Sequence, residues 1–290
     1  ISGPPFRYVK YATNLKTSFP HLELILDVRD PWNDLNNPKQ FDQERHDFEL
    51  NLERSVLKNV DKILTVSEFQ KELILKQQPE CAPIWVIPNG YDSEDYLSSL
   101  KDKQKSDKIN ISHFGTLHQQ KEYYWKPFFK ALLRLKNEHP KLYRKLSINL
   151  IGFTPNEIRN FIKNNDLSIN ILGILDHQDA FNALNQADIA LWFKYDRSPG
   201  DFATKFGDYI ALKKYMWVFS VKGAVTEFIE SKKIGKIFYR DSENLELEIF
   251  NALISSENKN NRAFNSNYDS SKLDIRNLSQ ELLKVLNNPT

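Results

Sequence analysis

In the second half of this 290-residue chain, three short apolar runs end in glycine: INISHF before Gly115, LSINLI before Gly152 and SINIL before Gly173. Between them, apolar residues recur at helical spacing, as at Trp125, Phe128, Phe129, Leu132 and Leu133. Buried strands alternating with helices confine a chain to parallel α/β sheets, because parallel neighbours need a crossover long enough to hold a helix. Ligands of such sheets bind outside the carboxyl ends of the strands. A glycine there lets backbone approach a ligand closely, or it turns the chain for steric reasons alone.

The alternation covers the whole chain. Residues 22 to 28, LELILDV, read as a strand that places Asp30 and Trp32 at its carboxyl edge, and an amphipathic helix is expected from Gln40 to Leu57. A strand over Lys62 to Val66 follows, then a helix SEFQKELILK capped by Ser67, then a strand IWVI before PNGYD. The polar stretch Ser98 to Lys108 is the linker candidate, which puts a boundary near residue 100. Beyond it, Pro155 is placed in the first turn of a helix. After Gly173 come a helix at 177 to 186, a strand at 188 to 193, the loop KYDRSPGD and a helix from Thr204. Strand MWVFSV, helix 224 to 231, strand GKIFY and a helix near 243 to 256 complete the second unit. A polar stretch reads as loop, and a last helix over Leu273 to Leu286 carries Leu278, Leu282, Leu283 and Leu286 at helical spacing.

Forty basic against 38 acidic side chains leave a net charge of +2, too balanced for an extended nucleic-acid surface. The single cysteine, Cys81, allows no internal disulfide, and no run approaches the ~20 apolar residues of a membrane span. These features point to a cytoplasmic protein and leave peripheral contact at the inner membrane face open. The chain starts on Ile1 at a Gly-Pro-Pro turn with no strand ahead of it, so a missing N-terminal portion is expected.

The stretch Thr204 to Leu212, TKFGDYIAL, carries the chemistry. Lys205 and Asp208 lie three apart, so a helix opening near Thr204 holds an ammonium and a carboxylate on one face. Helix N-termini attract phosphate, and a carboxylate can accept both vicinal hydroxyls of a ribose. A nucleoside diphosphate fits both. The plainer alternative is an exposed intrahelical pair contributing about 0.3–0.5 kcal/mol. No DxD pattern or His/Cys cluster calls for a metal. Arg29 with Asp30, and Asn89 with Gly90, read equally as groups that tie down turns. His113, His177, Trp192 and Trp217 read as structural.

LDVRDPW, DKILTVSEFQKELI, IPNGYD, HFGTL, ADIALW and TKFGDYIALKKY, in this order, resemble the retaining glycosyltransferases of family 4, which have the GT-B fold. The resemblance covers nearly the whole chain. It implies two Rossmann-like domains facing a cleft: an incomplete acceptor-side domain at 1–98, a nucleotide-sugar-binding domain at 99–272, and a helix at 273–290 that returns to the first. In the family the SGPP-like turn comes after several strands and helices. Residues 1–98 supply only about three strands, below the ~4–6 of a usual sheet, so an incomplete acceptor wall or a second chain is expected.

By the same resemblance, the donor is a nucleoside-diphosphate sugar, no cofactor is needed, and the acceptor is a glycan or a lipid-linked sugar. Asp208 matches the acidic residue that holds the donor ribose, and Lys205 matches a lysine of the variant pattern Lys-x-x-Glu-Tyr. The other acidic residue of the family's pair falls at Gly200, so its contact is lost or taken over by Asp201. Gly115 and Thr116 match the phosphate-facing turn, and Lys121 a lysine just beyond it. Gly173, Ile174 and Leu175 fall where the base is held, and Arg29 and Asp30 where relatives carry His-Asp near the acceptor. Lys205, Lys121 and Asp30 are the expected catalytic groups, with the N–H groups near Gly115 expected to help bind charge. A sugar-nucleotide epimerase of the same fold and a non-catalytic nucleotide-sugar-binding module remain open alternatives.

Overall fold

The computed structural model describes residues 1–3, 7–30, 32, 42–94, 100–118, 122–194 and 199–287, apart from the side chains of Arg7 and Thr17. Two parallel sheets carry the fold. The first has four strands in the order β1 (Ser2–Gly3), β2 (Ile25–Val28), β3 (Lys62–Thr65), β4 (Ile84–Val86). The second has six: β5 (Ile109–Phe114), β6 (Leu146–Ile151), β7 (Ile169–Gly173), β8 (Ile189–Phe193), β9 (Tyr215–Ser220) and β10 (Gly235–Tyr239). Its spatial order is β10-β9-β8-β5-β6-β7.

Eleven helices are described: α1 (Arg7–Ser18), α2 (Gln43–Asn59), α3 (Glu68–Gln77), α4 (Glu122–Glu138), α5 (Pro140–Lys145), α6 (Asn156–Asn164), α7 (His177–Asn185), α8 (Thr204–Ala211), α9 (Ala224–Lys232), α10 (Leu245–Ser255) and α11 (Ile275–Asn287). Among the described residues no helix is long and apolar enough to cross a membrane.

Where sequence and structure differ, the causes are local. Ser2 and Gly3 pair with Asp27 and Val28, so the first unit has a fourth strand that is too short to show any periodicity. Residues 22–24 stay outside β2, because the Leu24 N–H is bound by the Asp61 carboxylate at 2.7 Å instead of by a strand partner. Pro155 is the N-cap of α6 and not part of its first turn. The polar stretch after residue 100 does not hang free: the Lys101 and Gln104 amides donate to the side chains of Asn182 and Gln186 at 3.0 and 2.8 Å. Two 3-10 turns, at Lys259–Arg262 and Ser270–Leu273, interrupt the stretch read as loop.

The larger core forms between the second sheet and helices α4 and α10. Trp125, Phe128 and Phe129 of α4 are almost fully enclosed, and burying each such ring is worth about 1.5–3 kcal/mol over exposure. Helices α7, α8 and α9 cover the opposite face. In the first unit α2 packs one face of the sheet, and α11 packs the other through Leu278 and Val285 against Leu64 and Ile87. The buried seam of α11 is thus Leu278, Leu282 and Val285, while Leu283 and Leu286 face outward. Lys62, buried in β3, pairs with Glu23 at 2.6 Å, and its ammonium lies 3.5 Å from the Leu286 carbonyl at the end of α11.

Candidate active site

Strands β5, β6 and β7 are neighbours, so their terminal glycines form a row along one sheet edge. Gly115, Gly152 and Gly173 all have positive φ, at 109°, 118° and 72°. The Gly152 N–H donates to the Gly173 carbonyl at 2.6 Å, and any side chain on Gly152 would strike the Gly115 backbone. Glycine at 152 is therefore a packing requirement between two turns. Across two strand spacings the edge runs about 10 Å from Gly115 to Gly173.

Helix α8 opens beside this edge. Trp192, on the wholly buried β8, packs on Phe206 and Tyr209 with ring centroids 6.2 and 6.1 Å apart, and Phe202 meets Phe206 at 4.8 Å. Gly207 lets the helix sit against the Gly90 carbonyl, since a β-carbon there would stand 2.8 Å from that oxygen. Held this way, α8 presents Lys205 to the glycine row: a β-carbon on Gly115 would lie 3.3 Å from Lys205 Nζ. The ammonium also stands 5.3 Å from the centre of the Trp192 ring, within cation–π range. Trp192 is core, as its apolar strand implies, and it also forms a wall of the site.

Lys205 and Asp208 are not an exposed pair. Asp208 is buried and Lys205 half-buried. Loss of water lowers the Lys205 pKa to about 8, with Lys194 adding to the drop and Asp201 and Asp208 opposing it. Lys194 directly follows β8 and is almost fully enclosed, with its Nζ 2.5 Å from Asp201 Oδ1. Burial still raises the Asp201 pKa despite that cation, and the charge of Asp30, on the first unit, adds to the rise. The structure therefore brings Lys205, Asp208, Asp201, Lys194 and Asp30 into one electrostatic cluster beside the Gly115 turn.

Other expected residues take different places. The position matching the family's first acidic residue, Gly200, is pressed against Gln70, where a β-carbon would stand 3.0 Å from the Gln70 β-carbon. The carboxylate is instead next along, at Asp201. Gly115 does not offer its N–H, which donates to Ile151 O at 2.8 Å, and Leu117 N–H is likewise held by Phe153 O at 2.9 Å. Thr116, exposed between them, has the one amide of this turn without a backbone acceptor among the described residues. Ile174 is 80% exposed at the far end of the glycine row, and Leu175 is half-buried. Lys121 lies outside the described residues.

On the first unit, Arg29 ties down its turn, reaching Asp27 Oδ1 at 2.7 Å, the Ile87 carbonyl at 2.9 Å and Asn89 Oδ1 at 3.2 Å. Asn89 in turn donates to the Phe202 carbonyl at 2.6 Å, so it links the first unit to the segment leading into α8. Ser67 adds a second link: its hydroxyl donates to Gly200 O at 2.6 Å while accepting the Gln70 N–H that caps α3. The role of Lys194 escaped the sequence reading, although a lysine directly after IALWF, at a strand's carboxyl end, was the available signal.

No protein-family model matches the chain, and no curated protein matches it by sequence. Solved structures do match. WaaG, described as a glycosyltransferase involved in lipopolysaccharide biosynthesis, superimposes with a TM-score of 0.64 at 13% identity, over 94% of this chain and 81% of that one. This chain has the GT-B fold. An E. coli structure described as trehalose-6-phosphate bound with UDP-2-fluoro glucose gives 0.67 at 12% identity over 97% of this chain and 71% of that one. The pneumococcal O-GlcNAc transferase GtfA, in complex with UDP and GlcNAc, gives 0.65 at 16% identity; there the chain spans 54% of the relative's length. At these identities the likeness is one of fold, with the cleft of this GT-B chain lying between its two Rossmann-like sheets.

Proposed function

We propose that this GT-B chain transfers a glycosyl group from a nucleoside-diphosphate sugar to a hydroxyl of a glycan or lipid-linked acceptor, with retention at the anomeric carbon. The observation that carries the reading is the desolvated ammonium of Lys205, set against the Gly115 turn with Asp208 one helical turn along. When the bond between the anomeric carbon and the phosphate oxygen breaks, its electron pair leaves with the diphosphate. Lys205, the Thr116 amide and the uncapped N–H groups at the start of α8 meet that growing charge. With retention, the new bond forms on the face the diphosphate leaves, where a phosphate oxygen accepts the proton of the acceptor hydroxyl.

Asp208 holds the ribose and the Gly173–Leu175 turn holds the base, about 10 Å along the edge from the phosphates. Asp30 faces the reaction from the acceptor side. Lys121 is assigned to the phosphates on the resemblance alone. Cytoplasmic placement, and contact with a membrane surface through the acceptor, belong to the same proposal.

The test is a thermal-shift panel of nucleoside diphosphates and their sugar conjugates, because a ligand at 100 times its Kd stabilises by about 2.7 kcal/mol. Acceptor-dependent release of nucleoside diphosphate from the best donor is the expected result. A changed sugar nucleotide formed without acceptor would make the protein an epimerase, and binding without turnover a carrier module.

A further inference from the structure

A groove of about 420 Å3, separate from the catalytic cluster, runs between β4 and the last turn of α9. Trp85 and Val86 form one wall, Phe228, Lys232 and Tyr268 the other, and Leu278 of α11 lies between them. Phe228 and Tyr268 pack edge to face at 5.7 Å in the far wall.

Strand β4 pairs with β3 alone and is an edge of the first sheet. Ile87 N–H donates back to Thr65 O at 2.8 Å. In a parallel ladder alternate residues face alternate neighbours, so the N–H and C=O of Val86 point away from β3, and they have no backbone partner among the described residues. The charge of the groove is also uneven. Glu281 is paired with Lys284 at 2.6 Å; Lys232 stands 5.8 Å from the centre of the Phe228 ring and Lys272 feels the charge of Asp269, but neither lysine has an ion pair within 4.0 Å among the described residues.

We propose that this groove binds an extended peptide segment of a partner protein, added as a short strand to β4, with an apolar side chain in the groove and a carboxylate against Lys232 and Lys272. Main-chain pairing supplies affinity in this mode, and the alternate side chains supply specificity. Since β4 belongs to the first sheet and Phe228 and Tyr268 to the second unit, the added strand touches both and holds them at one separation. The inference does not depend on glycosyl transfer.

The probe is fluorescein-labelled Asp-Val-Thr-Val-Glu-amide, titrated against the full chain by anisotropy. The same peptide N-methylated at alternate residues, and decanoate, serve as the other arms. Saturable binding of the plain peptide is expected, with at least roughly tenfold weaker binding of the methylated one. Val86→Pro removes the outward N–H, a change that edge strands tolerate, and should weaken binding to the same extent while the circular dichroism spectrum is kept, whereas Val86→Ala, which trims the side chain and keeps the N–H, should weaken it less. If that variant misfolds, Lys232→Glu with Lys272→Glu tests the charge half and should also abolish binding. Equal binding of the methylated peptide, binding of decanoate alone, or no saturable binding up to about 1 mM would each overturn the proposal.

Discussion

Lys194 Nζ and Asp201 Oδ1 stand 2.5 Å apart, with 3% of the lysine side chain and 26% of the aspartate side chain exposed. The pair joins the end of β8 to the segment entering α8, and so fixes where Lys205 stands. Asp201→Asn would remove a carboxylate charge that lies 2.5 Å from an enclosed ammonium. The expected loss is about 3 kcal/mol, the lower end for a broken buried pair because the aspartate keeps some water. Urea unfolding measures it, and adding Lys194→Met to the same chain should recover much of the loss; fully additive losses would show that the two residues act separately.

Lys205→Ala should weaken nucleoside diphosphate binding far more than binding of the bare nucleoside, because only the phosphates meet the ammonium. Equal losses by calorimetry would make the lysine structural. The pH dependence follows from its pKa of about 8. Below that pH the free site is charged and binding is strongest; above it the affinity should fall, and binding should take up a proton. Folding moves the opposite way. Between about 8 and the ordinary 10.5 the unfolded chain holds this proton more tightly, so Lys205 makes stability rise with pH across that window.

Asp208→Asn should cost nucleoside diphosphate affinity roughly 1.5–3 kcal/mol, the scale of a hydrogen bond to a charged group. An amide keeps one acceptor oxygen where the carboxylate offered two to the ribose hydroxyls. Unchanged affinity in a folded variant would remove Asp208 from the ribose role.

Gly115→Ala and Gly173→Ala separate backbone strain from site chemistry. Both positions have positive φ, so each substitution should cost stability on the order of 1–3 kcal/mol. A methyl at 115 also meets Lys205 Nζ at 3.3 Å, whereas nothing lies within 4 Å of one at 173. Nucleoside diphosphate affinity should therefore drop for Gly115→Ala beyond any drop for Gly173→Ala. Equal affinities would place the ligand away from the Gly115 turn.

The order of elements was legible because buried parallel strands write continuous apolar runs, and because Ser67 and the terminal glycines punctuate them. Two-residue β1 and six-residue α5 were not, because neither is long enough to repeat its period even twice. In the candidate site, the meeting of Lys205 with Gly115 could be anticipated, since both stand at strand or helix ends on one edge. The use of the Gly115 N–H could not: its acceptor, Ile151, belongs to a neighbouring strand and is set by register. Lys194 was hidden for a related reason. A lysine after an apolar run reads as a solvated end until tertiary packing closes over it.

Helix α11 has a consequence for how the protein is made. Lys62 contacts the Leu286 carbonyl across 224 residues of sequence, and Leu64 and Ile87 are covered by Leu278 and Val285. Synthesis runs from the N-terminus, so one face of the first sheet stays bare while the ribosome builds the entire second sheet. Such a face is a target for chaperones and for aggregation during translation. Of the two units, the one synthesised earlier is thus finished later.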